Sequence, residues 1–212
     1  MKIARFVVAV CIFVQSAQAA APRSHTVSFG PWRTVSIASD DDPPEPTKIR
    51  DLLIDGRSRD YVTGPTHDVT ERVFVVLRAY RLNDSLPADK KTPQWIWRLG
   101  GWISVDRVTG KITQLNLPLF DPDVSEASWY RDYAAYCGAS DDGNKAYFMV
   151  AQIGRRKPIL KKEFVGDSCP APAWERKPAR VTFANEKEKV TFAIHARSAE
   201  LQVDTGEDEG QP

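Results

Sequence analysis

The chain is 212 residues long and carries 29 lysines and arginines against 28 aspartates and glutamates, a formal charge of +1. Such near-neutrality gives no broad field for nucleic acid or an anionic membrane surface, so neither is expected as a partner and any charge-driven contact must use a local patch. The length suits one domain with a real hydrophobic core.

The N-terminus reads as an export signal over residues 1–19. Lys2 and Arg5 precede an apolar run from Phe6 to Val14, and Ala17-Gln18-Ala19 places small residues where signal peptidase reads them. The run is too short for a bilayer span, which takes about 20 residues. Cleavage is expected after Ala19, because a cut after Ala21 would leave Pro22 at the new terminus. The remaining chain loses Lys2, Arg5 and Cys11, moves to a net charge of −1, and is expected to be soluble and periplasmic or secreted, with no membrane insertion. Its two cysteines, Cys137 and Cys169, form an even pair, which in an exported protein reads as a disulfide. Closing that loop stabilises the fold by roughly 3–4 kcal/mol on the chain-entropy model.

Beyond the signal, no stretch keeps apolar residues at helical spacing for more than two turns. "SDDDPPEP" (39–46) reads as an acidic, proline-rich surface loop, and "TGPTHDVTER" as a loop carrying His67 into a strand over Val73–Ala79. Asn83-Asp84-Ser85 is a glycosylation sequon. "WIWRLGGWISVD" is a strand with a bulge expected at Gly100-Gly101. "DRVTGKI" reads as a hairpin turn through Gly110, with a return strand over 112–117.

Trp129–Cys137 and Lys145–Ile153 are apolar on both faces, the mark of strands covered on both sides. "SDDGNK" and "GRRKP" turn the chain between them and into Ile159–Phe164. Arg180–Ala184 pairs with the strand carrying Val190, Phe192 and Ile194 across "NEKEK". The last residues are too polar to order themselves, so 198–212 reads as an acidic disordered tail. The fold class is therefore all-β: a single antiparallel domain over 24–197, sandwich-like or a twisted meander. Residues 112–165 make one propeller-blade-like unit of four strands. A closed propeller needs at least four such units, and the sequence contains no second copy.

Four features carry candidate chemistry, each with a structural alternative. Arg131 and Asp132, adjacent on one strand, point to opposite faces and need separate partners, for which Asp141, Arg155 and Arg156 are candidates. A buried polar network of Arg131, Asp132 and His67 is favoured over a catalytic Asp132. His67 beside Asp68 invites a general-base reading, but no nucleophile motif accompanies it, and bonding to local backbone is favoured. Arg155, Arg156 and Lys157 could hold an anion, although charged turns also serve as solvated guards of strand edges.

Trp95 and Trp97 share a face and could offer an aromatic platform to sugar rings, although rings filling the core is the favoured reading. Trp102 joins their face only if the Gly100-Gly101 bulge shifts the register. The sequence lacks a phosphate-binding glycine loop, a zinc helix, a calcium loop and a dinucleotide fingerprint, and His25, His67 and His195 are scattered. No cofactor or metal is expected, and an enzyme is not favoured. The expected function is a non-catalytic exported binding or structural-interaction protein with a contact surface near Arg155, Arg156 and Lys157 and an anionic partner or envelope glycan. The alternative is a glycan-binding module or small glycoside hydrolase, which needs only two carboxylates placed by the fold.

Overall fold

The structure is a computed structural model that describes residues 24–39, 43–85, 93–140, 142–166, 169–196 and 198–202. The expected signal and the acidic end of the tail lie outside the described residues, as does Asp141. The described chain is all-β, as expected from the sequence. In order, the strands are β1 (Val27–Phe29), β2 (Arg33–Ile37), β3 (Glu45–Ile54), β4 (Arg57–Asp68), β5 (Val73–Asn83), β6 (Trp95–Asp106), β7 (Ile112–Gln114) and β8 (Ser128–Tyr130). They continue with β9 (Tyr133–Ala139), β10 (Ala146–Gln152), β11 (Leu160–Phe164), β12 (Ala173–Arg176), β13 (Ala179–Ala184), β14 (Lys189–Ile194) and β15 (Ala199–Gln202).

The N-terminal half forms a seven-stranded sheet in which β2 to β6 pair in sequence and β2 returns to β6 in parallel, closing a ring of pairings. That closure is short: Ile37 lies opposite Trp97, and the Ala38 amide donates to the Trp97 carbonyl at 2.8 Å. β3 turns into β4 through Asp55-Gly56, both at positive φ (52° and 73°), the geometry a two-residue hairpin with right-handed strand twist requires. A core of Leu52, Ile54, Val62, Phe74, Val76, Ile103 and Val105 fills this unit.

The C-terminal half is a sandwich of two four-stranded antiparallel sheets, β8-β9-β10-β11 and β12-β13-β14-β15. Phe148 stacks on Phe164 (4.2 Å between centroids) and Phe183 (4.7 Å), which links the two sheets through one aromatic column. Cys137 of β9 is bonded to Cys169 in the connection between the sheets. At the sheet edges Trp174 donates its indole N–H to the Ser128 carbonyl at 3.1 Å, and the Tyr130 hydroxyl donates to the Arg176 carbonyl at 3.2 Å.

The central strands β9 and β10 are covered on both faces, as their composition requires. Ala135, Cys137, Phe148 and Val150 face the second sheet. Ala134, Tyr136, Met149 and Ala151 face outward and are roofed by Leu117, Phe120 and Trp129. The Tyr136 hydroxyl donates to the Pro118 carbonyl at 2.7 Å, and burial pushes its pKa up. Ser125 donates to the Cys137 carbonyl at 2.6 Å.

Four sequence expectations change. Residues 199–202, expected to belong to the disordered tail, form β15 and pair with β14. The four-strand unit does not begin at Ile112, because β7 pairs with β6 in the other half. Its fourth strand is β8, made by splitting the expected Trp129–Cys137 strand. Tyr130 pairs with Tyr133 around a two-residue turn, and Arg131 sits at φ 53°. Arg131 and Asp132 therefore occupy a hairpin tip, and the opposite-face argument does not apply to them. The loop around His67 is likewise the end of a long strand, β4, which bulges between Thr63 and His67.

Removing the disulfide by Cys137→Ala with Cys169→Ala is expected to cost about 2–5 kcal/mol, measured by urea unfolding. A change below about 1 kcal/mol would show that the aromatic column alone fixes the sandwich. Left-handed backbone costs a non-glycine residue roughly 1–2 kcal/mol. Arg131→Gly should therefore leave the melting temperature unchanged or raise it, and a fall of several degrees would mean the guanidinium holds the turn. Asp106 caps the β6–β7 turn by accepting the Val108 and Thr109 amides and the Arg72 guanidinium. Arg72 first, then these amides, holds its carboxyl well below the usual carboxylate range. A depressed folded-state pKa contributes stability that is complete above the ordinary aspartate range and lost as pH falls toward the depressed value. Asp106→Asn should thus flatten the acid limb of the stability curve, and an unaltered limb would remove Asp106 from it.

Candidate functional site

The aromatic and arginine residues at one end of the ring form the most developed surface feature. Arg81 lies directly opposite Trp97, Asn83 opposite Trp95, and Tyr61 opposite Ala79, so the pleat puts Tyr61, Arg81, Trp95 and Trp97 on one face. The Arg81 guanidinium sits 4.8 Å from the Trp95 ring centre and 5.8 Å from that of Trp97. Arg33 from β2 lies 4.8 Å over Tyr61 and 5.4 Å from Trp97, and Tyr61 meets Trp97 edge to face at 4.9 Å. Arg81 thus bridges Trp95 and Trp97, and Trp97, Arg33 and Tyr61 form a cluster in mutual contact.

Trp95 is 53 % exposed, Trp97 is half-buried, and Trp102 is 8 % exposed. Trp95 and Trp97, expected to share a face, do share one and neither is fully buried, whereas Trp102 belongs to the core. The bulge at Gly100-Gly101 does shift the register: Leu77 pairs with Trp102 but Ala79 with Leu99, which returns Trp102 to the parity of Trp95 and Trp97.

Charge on this face is incompletely neutralised. Among the described residues Arg81 has no carboxylate partner, and Arg33 reaches only Asp51, at 3.9 Å. The bordering carboxylates are engaged elsewhere: Asp60 accepts from Arg78 Nε at 2.9 Å and from the Tyr61 amide, and Asp51 accepts from the Ser58 hydroxyl at 2.7 Å. A shallow cleft lined by Ser58, Asp60, Tyr61, Arg81 and Trp95 runs along the same edge, with a volume of about 390 Å³.

The other sequence candidates lie elsewhere. Arg155, Arg156 and Lys157 are exposed in the β10–β11 turn, on a different sheet from Trp95 and Trp97. His67 and Arg131 do meet, but through backbone: His67 Nε2 is bonded to the Arg131 carbonyl at 2.8 Å, while the His67 ring stacks on Trp129. Asp132 accepts from Gln152 Nε2 at 2.8 Å, and the Arg131 guanidinium rests 5.4 Å over Tyr130. His67 therefore joins the two halves of the molecule at a contact 64 residues apart in sequence. Among the described residues no three histidines, cysteines or carboxylates cluster as a metal site would require, and no helix is long and apolar enough to cross a membrane.

Arg33 and Tyr61 were missed by the sequence reading. Their segment alternates poorly, with Arg57, Arg59, Gly64 and Pro65 interrupting it, and nothing local ties either residue to Trp97. A larger cleft, about 710 Å³ beside Cys137–Cys169, has its Lys145 and Glu163 paired with each other at 3.2 Å. No protein-family model matches the chain, and no curated protein or solved structure is similar to it.

Proposed function

We propose that this is an exported, non-catalytic binding protein whose Trp95–Arg81–Trp97–Arg33–Tyr61 face holds an acidic polysaccharide. The observation that carries the reading is Arg81, a guanidinium stacked between two indoles with no carboxylate partner among the described residues. Stacked this way, its planar fork keeps donors free for a carboxylate or sulfate, while Trp95 offers an exposed ring to the apolar face of a sugar. Asp51 and Asp60 are occupied by Ser58, Arg33 and Arg78, an arrangement that suits holding a chain rather than cleaving it. The disulfide supports an oxidising compartment, periplasmic or secreted, for the mature chain.

Two experiments test this. In affinity electrophoresis through polygalacturonate, Arg81→Ala with Trp95→Ala should weaken retention at least tenfold, since tenfold corresponds to about 1.4 kcal/mol and a hydrogen bond to a charged group is worth about 1.5–3 kcal/mol. Arg155→Ala with Arg156→Ala should leave retention unchanged. Loss with the second pair and not the first would move the contact surface to the β10–β11 turn. For export, N-terminal sequencing of the protein recovered outside the cytoplasm should begin at Ala20, and an intact Met1 terminus there would overturn it.

A further inference from the structure

Three turns that are distant in sequence bring exposed cations to one end of the sandwich. Register places the first two side by side. Tyr130 and Gln152 both lie opposite Tyr133, so the Arg131-Asp132 tip and the β10–β11 turn with Arg155, Arg156 and Lys157 leave the same end of their sheet. The third turn comes from the other sheet. Trp174 is bonded to the Ser128 carbonyl and Tyr130 to that of Arg176, so β12 runs along β8 in the same direction and delivers Arg176 and Lys177 beside the Arg131 tip. Neighbouring strands are about 4.8 Å apart and packed sheets about 10 Å apart, which sets the three turns roughly 10 Å from one another in a triangle.

Among the described residues Arg131, Arg155, Arg156, Lys157, Arg176 and Lys177 are all exposed and form no ion pair. The acids on the same elements are engaged: Asp132 accepts from the Gln152 amide at 2.8 Å, and Glu175 faces Arg180 at 3.9 Å. The opposite end of the sandwich is built differently. There Lys145 pairs with Glu163 at 3.2 Å and Lys162 with Glu188 at 3.5 Å, and Glu186, Lys187, Glu188 and Lys189 alternate in sign along the β13–β14 turn. The sandwich is therefore polarised within a nearly neutral chain, and such a local field draws anions to one end.

Two observations decide which anion. The rings at this end are already used: Tyr130 lies against Trp174 at 5.4 Å with its hydroxyl bonded, and the Arg131 guanidinium covers it from 5.4 Å. None is presented as a free platform on which a base or a sugar could stack. The cations also spread in two dimensions, across both sheets. A single polymer strand follows a line and meets two of the turns, whereas a plane of anionic headgroups meets all three at once.

We propose that this end docks the mature protein on an anionic phospholipid surface. Phosphate oxygens of separate headgroups accept from the guanidinium and ammonium groups of the three turns, and no element inserts. Each cation close to such a surface raises the partition about fivefold, and the attraction fades beyond a Debye length. The docking end is separate from the Arg81 face, so the two readings fail separately.

The test is co-sedimentation of the full mature chain with phosphatidylcholine vesicles, with and without about 30 % phosphatidylglycerol, at about 50 and 200 mM salt. Binding should require phosphatidylglycerol and weaken at the higher salt. Arg155→Ala with Arg156→Ala on one sheet, and Arg176→Ala with Lys177→Ala on the other, should each weaken it about tenfold or more. Arg155→Lys with Arg156→Lys should retain it, which separates loss of charge from loss of fold. Lys187→Ala with Lys189→Ala at the opposite end, and Arg81→Ala with Trp95→Ala, should leave it unchanged. Equal binding to phosphatidylcholine alone, or an equal loss from the opposite-end pair, would overturn the proposal. So would an effect confined to one of the two sheets, which contradicts contact through a plane. Equally tight binding of single-stranded oligothymidylate, lost in the same variants, would assign this end to a soluble polyanion and overturn the lipid partner.

Discussion

The layout depends on one constraint: the β9–β10 pair is apolar on both faces and must be roofed twice. The inner roof is the β12–β15 sheet, pinned through the Phe148 column and the Cys137–Cys169 bond. The outer roof cannot be a third sheet, because the chain between β7 and β8 is short and proline-bearing, so it is the connection itself. Close approach makes that roof fit. A Cβ on Gly138 would stand 2.9 Å from the Leu119 carbonyl oxygen, which leaves glycine as the residue that fits there without displacement. The connection starts at the ring and ends on the sandwich, so roofing β9–β10 also docks one half of the molecule on the other.

That docking explains the polar seam at the joint. His67 reaches across to the Arg131 carbonyl, and its ring stacks on Trp129, which in turn meets Trp102. The tight turn at Arg131-Asp132 points a main-chain carbonyl outward for that bond. A longer turn would carry Tyr130 and Trp129 out of register with the outer roof. The left-handed backbone at Arg131 and the position of Trp129 are thus two consequences of one short hairpin.

The part of the fold legible in the sequence is the part whose burial is strongly patterned. Phe192 and Ile194 alternate with polar residues on a half-wet strand, and the hairpin to β13 follows from that alternation and from "NEKEK". β9 and β10 announced their central position by being apolar throughout. The Arg131-Asp132 turn was hidden because Asp132 is its single turn-forming residue, no glycine or proline marks it, and Tyr130 and Tyr133 continue the aromatic pattern across it. β1 to β4 were hidden for another reason. They carry Arg57, Arg59, Lys48 and Asp60, and Gly64-Pro65 sits inside β4, so their strand character comes from pairing in the ring rather than from local propensity. The aromatic–arginine face inherits that opacity. Half of it, Trp95 and Trp97, was visible as a motif, whereas Arg33 and Tyr61 arrive through β2 and β4.

The arginines of this protein are not equivalent in their surroundings. Arg72, Arg78 and Arg107 each hold a carboxylate: Asp106 at 2.6 Å, Asp60 at 2.9 Å and Asp68 at 2.6 Å. Each of these closes a link between strands or turns that are already neighbours, a structural use of the guanidinium. Arg50 is different again, pressed 3.9 Å over Phe29 and 4.2 Å over Trp32 with a buried Nε that lacks an acceptor, and burial lowers its pKa. Arg81 shares the two ring contacts of Arg50 but is exposed. It gains two ring contacts worth about 0.5–1 kcal/mol each at an exposed site, yet links no strands that the backbone has not already paired. An aliphatic side chain opposite Trp97 would cover the indole as well and cost no desolvation. Among the described residues Arg81 has no carboxylate partner, and it lies exposed beside Trp95, so its guanidinium keeps hydrogen-bond donors that no strand link in the ring uses.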